Sequence, residues 1–232
     1  MSSQDRVNFW LRPERSGTGP KPEHSRAGIA AVAIEIADRG GLTAVSIRRV
    51  AAGIGAGAAS LYRYLKSHDE LIELIVDTVS GEYDLAASDE PPSIQLLNLA
   101  RQGRAIMHRH PWLAPLLLTR PSMGPNSLAY LERALSALKP VGLPGPAKLQ
   151  TVAMMTAITS AFVQNEIASA DSPEAAPNGE NARLLYLSDV VQSGKYPLLV
   201  GALTEQPDSE TPEEMFTNTI TKYLSGAGLP PT

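Results

Sequence analysis

Apolar residues recur with helical spacing over most of the chain, beginning near residue 26. In the first segment they fall at i, i+3, i+4, i+7 and i+8 and stop at Gly40–Gly41, which predicts one amphipathic helix. The members of this face are Ile29, Val32, Ala33, Ile36 and Ala37. Ser46 stands where an N-cap would begin a second, short helix. The inner face of that second helix is Ile47, Val50, Ala51 and Ile54.

Gly55 interrupts the pattern, a third helix is predicted through Leu61 and Leu65, and Ser67 begins a fourth. Later stretches predict helices at 93–110, 112–118, 125–138, 146–170, 181–192 and 212–225. Proline and glycine clusters separate them. No alternating apolar and polar stretch reaches the length of a useful strand. The pattern therefore predicts an all-α fold.

Composition agrees with a helical fold and restricts the cellular compartment that is expected. Hydrophobic residues make up 43% of the 232 residues, yet only three are Phe and two are Trp, so aliphatic side chains must build the core. The absence of cysteine excludes disulfides and thiolate zinc sites and favours a cytoplasmic protein. Residues 1–25 contain no apolar signal segment, and the most apolar stretch, 152–161, is far shorter than the ~20 residues of a membrane span.

The charge is unevenly distributed. Residues 1–68 hold 10 Lys and Arg against 5 Asp and Glu, whereas residues 69–232 hold 10 against 19. A basic N-terminal part predicts contact with a polyanion there. Three segments are predicted: a flexible basic arm (1–25), a head (26–68) and a body (69–232). The arm either enters a DNA minor groove or is a solvated linker, and the sequence favours neither.

Two short helices joined by a glycine turn and preceded by a packing helix have the organisation of a helix-turn-helix, whose second helix fits the major groove. The stretch GLTAVSIRRVAAGIGAGAASLYRYLKSHDEL, within residues 26–79, resembles the DNA-binding module of the tetracycline-repressor (TetR) family. The spacing from Ser46 through Gly55 to Leu61–Tyr62 matches that family's pattern without gaps. Gly57, Ala58, Ser60, Arg63, Tyr64 and Lys66 are expected to face outward.

The resemblance implies roles for individual residues. Arg48 would reach a base edge or a phosphate, Ser60 and Tyr62 would contact base and phosphate, and Tyr64 and Lys66 would meet the DNA backbone. His68 stands where the family usually has a phosphate-binding lysine. Gly57 and Ala58 offer no hydrogen-bonding side chain, so specificity would rest on Arg48, Ser60, Arg63, thymine methyl contacts and DNA shape.

The body resembles the effector domain of the tetracycline-repressor subgroup in segments such as His110–Leu113, Thr119–Pro121 and the closing stretch from Pro212 to Leu224. The subgroup's metal-binding histidine is replaced by Leu116, so no metal or other cofactor is expected. The expected apolar pocket walls are Leu116, Met123, Met154 and Phe162, and Thr119, Arg120 and Pro121 would border the pocket. Its orienting polar groups would be Asn98, Gln102, Arg120 and Gln164. Each of these polar residues could equally cap a helix or face water.

A homodimer is expected because the 146–170 helix is apolar around most of its circumference. This helix would pair with Met215, Phe216, Ile220 and Tyr223 of the last helix, although it could instead be the central helix of a monomer. His108 and His110 point about 200° apart on a helix and cannot share a metal ion. The leading hypothesis is a repressor that binds double-stranded operator DNA and senses a small apolar effector. A helical ligand-binding dimer with weak DNA binding is the alternative, and an all-α enzyme lacks catalytic residues.

Overall fold

The computed structural model of the chain describes residues 9–12, 24–120, 122–171, 177–204 and 210–229. These residues form helices and connecting turns, and no strand occurs among them. The predicted all-α fold is confirmed. The helices of the head and of the segment that follows it are α1 (Arg26–Gly40), α2 (Ile47–Gly53), α3 (Ala58–Leu61) and α4 (His68–Ser80).

The remaining helices belong to the body. They are α5 (Pro92–Arg109), α6 (Leu113–Thr119), α7 (Pro125–Ala137), α8 (Gly145–Asp171), α9 (Pro177–Gln192), α10 (Pro197–Thr204) and α11 (Pro212–Gly226). The sequence pattern did not predict α10, a short apolar segment. No helix of the described residues is long and apolar enough to cross a membrane.

Side-chain caps begin several helices, two of them at serines that the sequence predicts as helix starts. Ser46 accepts a hydrogen bond from the backbone N–H of Arg49, and Ser67 accepts one from that of Glu70. Thr211 and Glu214 form a reciprocal capping box at the start of α11. Such caps satisfy amide groups that the first turn of a helix leaves without partners. Local chemistry therefore sets these helix starts.

Two hydrophobic clusters form the core. The first joins α1–α4 of the head side to α6, the C-terminal half of α5 and the C-terminal part of α8. The second joins the N-terminal half of α5 to α7, α8 and α11. Tyr83 packs against both clusters. The first cluster is continuous across residue 68, so the head shares its core with the body.

The arm differs from the expectation of an extended, flexible segment. Phe9–Leu11 form a turn of helix, and Phe9 is fully buried in the first cluster. Residues 1–8 and 13–23 of the predicted arm lie outside the described residues, and they include Arg15 and Lys21, two of the basic residues of that arm.

Candidate nucleic-acid interface and effector site

The turn between α2 and α3 requires a glycine. Gly55 has φ of +71°, in the left-handed region that side chains disfavour. Gly53, at the end of α2, lies so close to α1 that a Cβ would be 2.5 Å from Cγ1 of Val32. These two glycines set the angle of the turn and the approach of α2 to α1.

Helix α3 is shorter than predicted. Its α-helical geometry ends at Leu61, and the next turn has i to i+3 bonds from the N–H of Arg63 to Ser60 and from that of Tyr64 to Leu61. This tighter winding turns Tyr64 inward, where it is 7% exposed in the first cluster. The expectation that Tyr64 faces outward is therefore wrong.

The other predicted DNA-contacting residues are more accessible. Arg48, Gly57, Tyr62, Arg63, Lys66 and His68 are exposed, and Ala58 and Ser60 are half-buried. The His68 ring is held locally, because its Nε2 lies 3.0 Å from the carbonyl oxygen of Val45. Ala58 packs against the first cluster, so its methyl group is only partly accessible to DNA.

The charge of this surface is of one sign. From residue 39 to residue 68 the chain contains five Lys and Arg and no Asp or Glu. They are Arg39, Arg48, Arg49, Arg63 and Lys66. A cationic surface on a helix-turn-helix is suited to the phosphates that flank the major groove.

The predicted polar effector residues have partners within the protein. Asn98 donates to Glu90 over 3.0 Å, Gln102 accepts from the backbone N–H of Asp84 over 2.7 Å, and Gln164 donates to the carbonyl of Ser160. Thr119 donates back to carbonyls of its own helix. These hydrogen bonds occupy polar groups that the sequence analysis assigned to the effector pocket. Pro121 lies outside the described residues.

The predicted apolar walls differ in cluster and in exposure. Leu116 packs against the first cluster and Phe162 against the second, where its ring stacks edge-on against Phe216 at 5.2 Å. Met123 and Met154 are 49% and 46% exposed. A surface cleft of about 420 Å³ lies between residues 87–92, α5 and α7, and none of the ten predicted effector residues lines it.

A pair of tyrosines that the sequence reading missed lies inside the body. The rings of Tyr83 and Tyr130 are 4.6 Å apart, and the Tyr130 hydroxyl is 3.4 Å from Oγ1 of Thr156. Burial raises the pKa of the Tyr83 hydroxyl well above its ordinary value and also raises that of Tyr130. Like other tyrosine hydroxyls near neutral pH, both are protonated and can donate hydrogen bonds. Tyr83 also approaches α5 where Gly103 lacks a side chain.

Helix α4 carries a buried acidic face that connects it to the rest of the body. Glu70, Glu73 and Asp77 are 5%, 4% and 2% exposed, at i, i+3 and i+7. Oε1 of Glu73 accepts from Oγ of Ser122 (2.8 Å) and from the N–H of Met123 (3.0 Å). The spacing of three acidic residues at i, i+3 and i+7 within an otherwise apolar helix is the sequence feature that could have predicted this buried acidic face.

Asp77 continues this face at the start of α7. Its carboxylate accepts from the backbone N–H groups of Ser127 (2.9 Å) and Asn126 (3.4 Å). Burial raises the pKa of Asp77, although these hydrogen bonds oppose the rise. Arg120 adds an ion pair to Asp69 at 2.7 Å. The segment 120–127 thus holds α4 by three of its carboxylates.

The two histidines of the H-x-H spacing have separate partners. His108 lies 2.9 Å from Glu166, whereas His110 lies between Asp38 and Glu82. Each of them therefore pairs with carboxylates of a different part of the protein. Among the residues that the structure describes, no group of three or more His, Asp or Glu side chains is placed to hold a metal ion.

Both parts of the chain match known protein families. Residues 29–75 match the family described as bacterial regulatory proteins, tetR family, and residues 93–227 match the tetracyclin repressor-like, C-terminal domain. The HTH-type transcriptional repressor DrrR1 of Streptomyces coeruleorubidus is 31% identical over 197 residues, 82% of this chain and 73% of that protein. An HTH-type transcriptional regulator of Saccharopolyspora erythraea is 34% identical over 134 residues, 57% of this chain and 56% of that protein.

Solved structures share the fold. Apo ActR from Streptomyces coelicolor superimposes with a TM-score of 0.71 at 26% identity, covering 90% of this chain and 100% of that one. ActR in complex with actinorhodin has a TM-score of 0.71 at 21% identity, covering 89% of this chain and 96% of that one. The chain is therefore a helix-turn-helix transcriptional regulator that belongs to the tetR family of bacterial regulatory proteins.

Proposed function

We propose that this regulator is a cytoplasmic repressor that binds operator DNA as a homodimer and leaves the operator when a small molecule binds in the body. The observation that carries the proposal is that segment 120–127 contacts three carboxylates of α4, those of Asp69, Glu73 and Asp77. Because α4 begins at the head and is held along its length by the body, a displacement of α7 or of the α6–α7 loop would be transmitted to the head. No step of this function requires catalysis.

The DNA side of the proposal rests on the exposed cations around the turn. A two-fold dimer would present two heads to successive major-groove faces, so half-sites should lie ~10 base pairs apart or at a related multiple. Arg48 is the side chain best suited to read a guanine, since arginine binds its O6 and N7 together.

The dimer would form through the outer faces of α8 and α11. Leu149 and Met154 on α8 and Met215 on α11 are 45–49% exposed in the protomer, which makes them candidates for a partner's contact. Phe216 and Ile220, which the sequence placed at this interface, are fully buried in the protomer's own second cluster. Helices α9 and α10 also expose apolar side chains, with Leu185 72% and Leu198 89% exposed, and could extend the interface.

For the effector site we propose the interior around Tyr83, Tyr130 and Thr156, between the two clusters. Its rings and aliphatic neighbours would favour a largely apolar ligand, and the neutral hydroxyls would orient one or two polar groups on it. ActR, which shares the fold, has been solved in complex with actinorhodin and with (S)-DNPA. Actinorhodin is therefore the first probe to use.

The proposal is tested by titrating the full chain with DNA from upstream of its own gene, and then with actinorhodin in the presence and absence of that DNA. Linkage requires DNA and effector to weaken each other by the same factor, and such couplings are typically ~1–3 kcal/mol. Equal actinorhodin affinities in the two titrations would contradict effector-controlled release. A chain that binds actinorhodin but not DNA would instead support the alternative of a ligand-binding dimer.

The effector site is tested by Tyr130→Phe, which removes one hydroxyl and keeps the ring. Calorimetry should show weaker actinorhodin binding, by about five-fold, the scale of one hydrogen bond lost inside a protein. Tyr196→Phe is the matched control, because Tyr196 is 53% exposed between α9 and α10. Equal losses in the two variants would remove Tyr130 from the site.

A further inference from the structure

We propose that Phe9–Arg12 form a strap that fixes the head against the body through α4, and that these residues do not act as a groove-binding arm. The segment is short, but each of its inward side chains has a specific place. Its contacts reach the head, α4 and the start of α7. The strap would therefore hold the three parts that the proposed allosteric movement must shift relative to one another.

Phe9 anchors the strap in the head. Its side chain is fully buried in the first cluster, and the guanidinium carbon of Arg26 lies 4.4 Å from its ring centroid. Arg26 also donates to the carbonyl of Arg12 over 3.1 Å. The cations of this region are thus placed over an internal aromatic ring and internal carbonyls.

Arg12 connects the turn that follows α3 to the first turn of α4. Its Nη2 lies 2.6 Å from Oε2 of Glu70 and 3.2 Å from the carbonyl oxygen of Tyr64. The same Glu70 oxygen accepts from the backbone N–H of Lys66. The Arg12 side chain is 24% exposed, so its charge is largely committed within the protein.

Trp10 reaches the body. Its Nε1–H donates over 3.0 Å to Oε1 of Glu73, the oxygen that also accepts from Ser122 and Met123. The indole lies over Gly124, where a Cβ would be 2.5 Å from Cζ2 of Trp10. One carboxylate oxygen of α4 therefore receives both the strap and the loop that leads into α7.

The first test is hydrogen exchange of the full chain, which requires neither DNA nor effector. Trp10→Phe keeps an aromatic ring but loses the donor to Glu73, so the amides of 122–127 should exchange about five-fold faster, the scale of one hydrogen bond. Leu11→Ala is the control, because Leu11 is 76% exposed in the same turn and its variant should exchange like the wild type. Unchanged exchange in folded Trp10→Phe overturns the strap.

The second test rests on the proposed function and uses DNA from upstream of the protein's own gene. Arg12→Gln should weaken binding several-fold while leaving the salt dependence unchanged, because the strap acts on the head and releases no counterion from DNA. A groove-binding Arg12 would instead lower the slope of log K against log salt by about one. That result overturns the proposal. If the wild type binds no DNA, the proposed function fails, and the exchange measurement still decides the strap.

Discussion

Nδ1 of His110 lies 2.7 Å from Oδ1 of Asp38, which ties the junction of α5 and α6 to the end of α1. The indole N–H of Trp112 donates to the same oxygen, also over 2.7 Å. Oε1 of Glu82 lies 2.9 Å from the other ring nitrogen of His110. Head and body are therefore joined by polar contacts on the side of the molecule where α1 meets α6, in addition to the apolar core that they share.

Asp38→Ala should lower the free energy of unfolding by about 1–3 kcal/mol, because it leaves the partly buried indole N–H of Trp112 without its acceptor and removes one partner of the His110 ring. Urea denaturation measures the change. Glu35→Ala is the matched control on the same helix, since Glu35 forms only an exposed i, i+4 pair with Arg39, which should contribute ~0.5 kcal/mol or less. Similar losses in both variants would mean that the Asp38 contacts add nothing to stability.

Gly55→Ala should destabilise the chain by roughly 1–2 kcal/mol, because a Cβ is strained in the left-handed region. Gly57→Ala makes the same chemical change two residues away, at φ of −77° with nothing within 4 Å of the added Cβ. It should leave the midpoint of thermal unfolding nearly unchanged. If both variants melt at the wild-type temperature, the turn does not depend on the conformation of Gly55.

Arg48→Ala should weaken operator binding by ~1–3 kcal/mol if the guanidinium reads a guanine, and it should relax the preference at one base pair. Fluorescence anisotropy with a set of single-substituted operators provides the measurement. Lys139→Ala removes an exposed charge in the body, just after α7, and should leave operator binding unchanged. An equal loss for Arg48→Ala on every sequence would identify a phosphate contact.

Met154→Arg should dissociate the proposed homodimer, because burying an unpaired charge in an interface costs several kcal/mol. Sedimentation equilibrium at micromolar concentration gives the assembly state. Leu128→Arg is the control, because Leu128 is 46% exposed on α7, outside the proposed interface. Phe216→Arg is unsuitable here, since Phe216 is 0% exposed in the protomer and the change would unfold it. A dimeric Met154→Arg variant would place the interface elsewhere.

Glu166 predicts a pH dependence of stability. Burial alone would raise its pKa, but the hydrogen bonds from Arg104 and His108 outweigh burial and hold the pKa below the usual value. A carboxyl with a depressed folded pKa contributes stability that is present above its unfolded pKa of about 4.3 and is lost as the pH falls through the folded value.

Glu166→Gln should therefore be less stable than the wild type by about 1–2 kcal/mol near neutral pH. The difference should shrink as the pH falls below about 4. Urea titrations at several pH values measure it, with the exposed Glu132→Gln as the control. A difference that is constant with pH would mean that the charge of Glu166 is not the source of its contribution.

The head was predictable from sequence because its decisive signals are local. Gly55 forms the turn, Ser46 caps α2, and the apolar faces of α1 and α2 follow helical spacing. Tyr64 was misplaced because the helical period was extended past Leu61, whereas the chain tightens there. Helix propensity alone does not indicate where a four-residue helix ends.

The body was harder to read because its polar contacts join residues far apart in the sequence. Trp10 and Glu73 are 63 positions apart, and Arg120 and Asp69 are 51 apart. No periodicity connects such pairs. The effector residues were therefore predicted from their place along the chain relative to a resembling family. Most of their polar groups bond to other residues of the protein. The Tyr83–Tyr130 pair could be found only once α4, α5 and α7 were placed around it.

Gly124 has a consequence for genetics. A Cβ there would lie 2.2 Å from Cγ of Asp77 and 2.5 Å from the Trp10 ring, so any other amino acid at this position must displace the Asp77 carboxylate and the Trp10 indole. Genetic selections for variants of this regulator that keep its target genes permanently off or permanently on should recover substitutions of Gly124. Such alleles would alter regulation from a residue with no expected contact to DNA or effector.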